Sequence, residues 1–130
     1  MTTESTATDN KNVVRRALAE LLDTGDADAL APLLSDDFIH HRPDATSTKA
    51  EWLAAVRTAL VPLDGMRVEV EHLFADGDHV VLHSRRRLPD GPEITVVDIW
   101  RVDGGRIAEA WEIIEPSARA AANFTWWDPA

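Results

Sequence analysis

From Met66 onward the apolar residues of this chain alternate with polar ones, and that period of two restricts the fold more than any other feature. Four strand candidates follow, at about 66–74, 79–88, 93–102 and 106–115, separated by the turn signals "ADGD", "PDGP" and "DGG". Strands joined in this way form a meandering antiparallel sheet. The first half of the chain has the helical period instead. Val13, Val14, Ala17, Leu18, Leu21 and Leu22 share one helix face, with Asp9 or Asn10 available as a cap and Gly25 as a stop.

A shorter helix is expected after Asp26, running to about Leu34, and "DDFIHHRPD" reads as an extended segment ended by Pro43. Thr48 and Glu51 have capping-box spacing ahead of a third helix that turns Trp52, Leu53, Val56 and Leu60 inward; Pro62 and Gly65 signal its end. Helices first and a meander second predict an α+β fold with the helices on one face of the sheet. No repeat or interdomain linker breaks the pattern, so residues 1–10 are expected as a loosely ordered tail and 11–130 as a single domain.

Composition narrows the partners. Thirteen basic against 23 acidic residues give a net charge of -10, which repels phosphate backbones and anionic lipid. Nucleic acid and membrane surfaces are therefore not expected partners. With 45% hydrophobic residues among 130 the chain can build a real core, and with no cysteine it has neither disulfides nor thiolate chemistry. The opening "MTTESTATDN" lacks the basic and apolar blocks of a secretion signal, and no apolar run approaches the roughly 18 residues that span a bilayer. The expectation is a cytoplasmic protein.

One strand carries an anomaly. In "EITVVDIWRV" the acid Asp98 shares a face with Ile94, Val96, Trp100 and Val102, in the middle of what reads as a buried strand. The opposite face, Thr95, Val97, Ile99 and Arg101, is also quite apolar. An antiparallel sheet with one wet side alternates more cleanly, so the second face is expected to pack on another subunit, as a homodimer through the sheet.

The "PDGP" turn sets a register in which Leu88 lies opposite Glu93 and His83 opposite Asp98, close enough for imidazole and carboxylate to touch. If "DGG" is a three-residue loop, Val102 faces Arg106, and Ala108, Ala110 and Glu112 join the Asp98 face; a one-residue slip would bring Trp111 there instead. Burial raises a carboxyl pKa and a nearby protonated histidine lowers it, which leaves a pair able to exchange a proton near neutral pH. The alternative is a structural His–Asp hydrogen bond that satisfies two buried groups.

These segments resemble a family. "FIHHRPD", then "DGDHVVLHSR", then "VDIWRVDGGRIAEAWEIIEP" and the tail "AANFTWW" are similar to the SnoaL-like polyketide cyclase branch of the nuclear transport factor 2-like superfamily. The resemblance implies a cone of strongly bent antiparallel sheet, closed by three helices around an apolar pocket, and often a dimer. It also implies proton-transfer chemistry by pocket carboxylates or histidines with no cofactor. Matched position by position, it points to His41, His83, Asp98 and Glu112 as catalytic, with Arg42 and Glu112 departing from the asparagine and aspartate usual at their places. Phe38, Trp52, Arg85, Trp100 and Trp111 are the expected pocket lining.

Other candidates are weaker. His40, His41 and Asp44 lack the ligand spacing of a metal site, because adjacent strand residues point to opposite faces, so no metal is expected. His72 and His79 flank a turn and read as solvent-facing; Ser84 and Ser117 have no nucleophile motif. Trp126 and Trp127 read as a hydrophobic anchor for the tail. The resulting expectation is an acid/base enzyme on an apolar, cyclic or carbonyl-bearing molecule, of isomerase, cyclase, dehydratase or epoxide hydrolase type. Asp98 would be the base, His83 its partner, His41 a second donor and Glu112 an additional acid/base group. A non-catalytic protein binding a hydrophobic ligand in the same pocket is the alternative.

Overall fold

The computed structural model describes residues 3–24, 26–60, 65–89, 91 and 93–116. Gly25, Pro62, Ser117, Trp126 and Trp127, singled out above, lie outside the described residues. Helix α1 (Thr3–Ala19) continues into a π-helical turn over Glu20–Thr24. It starts well before the expected cap, and Asn10 is not a cap: it is buried, and its Nδ2 donates to the Gly77 carbonyl at 3.3 Å, tying the helix to a turn of the sheet. Short α2 (Ala27–Leu30) is capped by Asp26, whose side chain accepts from the Asp28 backbone.

Strands β1 (Leu34–Arg42) and β2 (Ala45–Thr48) form a hairpin and lead into α3 (Lys49–Leu60). The expected capping box is present: the Glu51 amide donates to Thr48 Oγ1 at 3.3 Å, and the Thr48 amide donates to Glu51 Oε1 at 3.0 Å. Thr48→Ala is expected to cost about 1 kcal/mol, read as a lower urea midpoint at unchanged m-value.

The meander follows as β3 (Arg67–Asp76), β4 (His79–Arg87), β5 (Glu93–Asp103) and β6 (Arg106–Pro116). All six strands make one sheet in the order β2-β1-β6-β5-β4-β3, antiparallel throughout except for β1 beside β6. Register shifts within the β1–β6, β3–β4 and β5–β6 pairs bend it strongly, since each extra residue kinks its strand and increases the local twist. The three helices fill the concave side. Val14 and Ala17 of α1, Leu30 of α2, and Trp52 and Leu53 of α3 pack there on Phe38, Val80, Trp100, Val102 and Ile107. Full burial of a side chain such as Phe38 or Leu82 contributes roughly 1.5–3 kcal/mol. None of the helices among the described residues is long and apolar enough to cross a membrane.

Two hairpins differ from their expected registers. In the first, Arg87 rather than Leu88 lies opposite Glu93, so Leu82 faces Asp98 and His83 faces Val97. The cause is the connection. Leu88 leaves the strand, accepts a long hydrogen bond from the Gly91 amide at 3.5 Å and turns its side chain to the rim of an apolar hollow. In the second, Gly104 and Gly105 alone make the turn, both with positive φ (59° and 80°), and Asp103 pairs with Arg106. A bulge then shifts the ladder, placing Trp100 opposite Ala110 and Asp98 opposite Glu112.

Candidate functional site

The period of two along each strand decides which side chains enter the concave face. In β5 the buried residues are Val96, Asp98, Trp100 and Val102; in β4 they are Val80, Leu82 and Ser84. Arg86 continues the β4 series. Its Nη2 donates to Asp98 Oδ2 at 3.0 Å and its Nε to Ser84 Oγ at 3.3 Å. On the other side of Asp98, Glu112 of β6 is its direct cross-strand neighbour, and Arg42 at the end of β1 donates from Nε to Glu112 Oε1 at 2.9 Å. Two carboxyls therefore stand side by side, each held by its own guanidinium.

Asp98 is only 2% exposed. Burial pushes its pKa up from 3.8 to about 7; Arg86 pulls it down, Glu112 pushes it up and Arg42 pulls it down. Without the two arginines, burial and the neighbouring acid would act in the same direction. The outcome is a carboxyl deep in the protein that changes protonation near neutral pH.

Arg42, Arg86 and Glu112 also line a hollow of about 170 Å³ whose other walls are apolar, among them Leu21, Leu22, Trp52, Met66, Leu88 and Ile94. Asp98 lies behind Arg86 and Glu112 rather than on this wall. A second hollow of about 160 Å³ adjoins the first through Arg42, Trp52, Val56 and Ala59, and it adds His40 and Ser47. His40 is 3% exposed, its ring stacked on Trp52 at 5.1 Å. Burial, first, and the charges of Arg42 and His41 lower its pKa from 6.5 to about 4, against the opposing pull of Glu112. Its imidazole is neutral at physiological pH.

Several expected site residues lie elsewhere. His83 does not meet Asp98: the one-residue offset of the first hairpin turns it to the convex face, where its Nδ1 lies 2.9 Å from Nδ1 of His72. The same offset exchanges Arg85 for Arg86. Arg85 points outward and is bound by Glu69 and Glu71. His41 is on the convex face too, with Nε2 2.6 Å from Glu109 Oε2 and its ring stacked on Trp111 at 5.4 Å. Trp111 does not line the concave hollow; with His41, Arg42 and Ile99 it lines a separate hollow of about 450 Å³, and Glu112 borders both.

Phe38 and Trp100 are core residues that line neither hollow, and Trp100 Nε1 is a buried donor without a partner among the described residues. Of the expected lining only Trp52 borders both. His40 is weighed above only as a metal ligand, and Arg86 is not among the expected site residues. For His40 a signal exists, since Phe38 two residues earlier is the large apolar anchor of the concave face and His40 must share it. For Arg86 the sequence holds no comparable signal, because its side depends on the length of the 88–92 connection. Among the described residues no group of three His, Cys, Asp or Glu side chains could hold a metal ion.

Comparison with solved structures finds the same fold in several proteins. A candidate ketosteroid isomerase from Kribbella flavida superposes with a TM-score of 0.74 at 19% identity, over 85% of this chain and 81% of that one. An LEH-like epoxide hydrolase of M. tuberculosis gives 0.70 at 19% identity, over 94% and 98%. IdmH, a candidate polyketide cyclase of Streptomyces antibioticus, gives 0.67 at 23% identity, over 82% and 91%. At these identities the likeness is one of fold. No curated protein matches. The model of the SnoaL-like domain matches residues 14–110, and the chain belongs to that family.

Proposed function

We propose that this protein is a cofactor-independent acid/base enzyme acting on a small apolar molecule, cyclic or carbonyl-bearing, by isomerisation, aldol-type cyclisation or dehydration. One observation carries the reading: Asp98, buried and poised near neutral pH, stands across the strand from Glu112, which borders an apolar hollow. Glu112 is the carboxyl that reaches a bound molecule. A proton it takes has a buried acceptor beside it in Asp98, and return of that proton to a different atom completes an isomerisation or elimination. Arg86 and Arg42 hold the two carboxyls in place and keep the added negative charge tolerable.

The test needs no knowledge of the natural substrate. Loss of α-deuterium from labelled acetophenone into water, followed by proton NMR, measures proton abstraction beside a carbonyl. The reading predicts exchange faster than in buffer and reduced in Asp98→Asn. Exchange at the buffer rate with native protein contradicts it, and a ligand that binds without any exchange would identify a binding protein instead.

We also propose that the convex face of the sheet packs on a second copy of the chain. Ile113 is 51% and Phe74 59% exposed there, beside Ile99 and Trp111, while the charges of the face are already answered within the chain, His41 and Arg101 by Glu109 and Arg85 by Glu69 and Glu71. Such a face requires an apolar cover rather than a charged one. Sedimentation is expected to show a dimer for the native protein and a monomer for Ile113→Asp. A native monomer at micromolar concentration contradicts the proposal.

A further inference from the structure

The smaller hollow contains polar atoms that the acid/base chemistry does not use. His40 and Ser47 are cross-strand partners in the β1–β2 hairpin, so both side chains face it. Neither the His40 ring nor the Ser47 hydroxyl has a hydrogen-bond partner among the described residues. The imidazole is nonetheless fixed, stacked on Trp52 with planes 23° apart and with the Phe38 ring 6.4 Å away. Arg42 supplies the third polar group: its Nε is taken by Glu112, which leaves the two terminal nitrogens as donors.

His40, Ser47 and Arg42 line one space, and the group that a neutral imidazole N–H, a hydroxyl and a guanidinium together suit is an oxygen acceptor. Charge decides which kind. The positive charge of Arg42 is answered by Glu112 at 2.9 Å, and the chain carries a net -10, so a carboxylate would enter without a counter-charge. A ketone or ester oxygen has no such cost. We infer that the His40–Ser47 hollow binds the carbonyl oxygen of an uncharged substrate, whose apolar body lies along Trp52 toward Glu112. The inference rests on the acid/base reading for calling that molecule a substrate, and on the hollow alone for the binding. His40, held neutral by burial, remains a donor across the physiological range.

Acetophenone and benzoate have the same ring and differ in charge, so they test the claim directly by quenching of tryptophan fluorescence in the full chain. Acetophenone is expected to saturate, and benzoate to bind at least about tenfold more weakly. His40→Phe, which retains the stack, and Ser47→Ala, which removes only a hydroxyl near the surface, are each expected to weaken acetophenone about five- to tenfold, the worth of one net hydrogen bond. Asp98→Asn is expected to bind it as the native protein does. The inference is overturned if acetophenone fails to saturate, if benzoate binds as tightly, or if both variants bind acetophenone unchanged. Binding that depends on His40, together with α-exchange indifferent to Asp98→Asn, would retain the hollow and remove the acid/base reading.

Discussion

Asp98→Asn is expected to lower turnover by about 10²- to 10⁴-fold and to leave the protein folded. The rate loss is the usual contribution of a positioned general acid or base. The fold survives because the asparagine Oδ1 can still accept the hydrogen bond that Arg86 donates at 3.0 Å. Native activity should rise with pH through about 7 and then level, because Asp98 must be ionised to take the proton that Glu112 passes on, and burial holds its pKa there. In Asp98→Asn that limb disappears. A variant with native rate and native pH profile would show that the buried carboxyl has no part in the chemistry.

The second large effect is on stability, and it has two opposing parts. Folding raises the Asp98 pKa from 3.8 to about 7, so over that interval the folded chain keeps a proton that the unfolded chain has released. Stability from this group is full below about 4 and is lost as pH rises toward 7. Folding lowers the His40 pKa from 6.5 to about 4, so the unfolded chain binds the extra proton, and stability from this group is lost as pH falls from 6.5. For His40 the displacement corresponds to roughly 3 kcal/mol. In the native protein the two slopes offset each other.

The variants separate them. Relative to native protein, His40→Phe should gain stability as pH falls from 7 to 4, and Asp98→Asn should gain it as pH rises over the same range. Urea unfolding at four pH values reads both differences. Differences of the same sign, or none, would contradict the placement of one of the two groups.

Much of the architecture was legible because it depends on local chemistry. The alternation after Met66 and the glycine-bearing turns define β3 to β6, and the Thr48–Glu51 pair marks the start of α3. The inward direction of Asp98 follows from its place among Val96, Trp100 and Val102, and Glu112 shares its face under either the expected or the observed turn. What was not legible hangs on single residues. Both faces of β4 are apolar enough, Val80 and Leu82 on one side and Val81 on the other, that nothing in the strand itself prevents a slip. The behaviour of Leu88, which leaves the ladder for the rim of the hollow, therefore decides whether His83 or Arg86 meets Asp98.

The two histidines at 40 and 41 present a similar ambiguity. The family resemblance favours His41, but a period of two from Phe38 puts His40 inside, and the Glu109 carboxylate draws His41 to the outer face. Asn10 lies within α1 and its side chain is taken by the Gly77 carbonyl, a tertiary contact that no local capping rule contains.

The whole reading stands on the protonation of one carboxyl. Carbon-13 NMR of aspartate side chains, with Asp98 assigned by its absence in Asp98→Asn, follows that carboxyl directly through a pH titration. The structure predicts a midpoint at about 7. A midpoint near 4, as for an aspartate in water, would mean that Asp98 is an ordinary ion pair with Arg86 and that the proton taken by Glu112 has no buried acceptor near neutral pH.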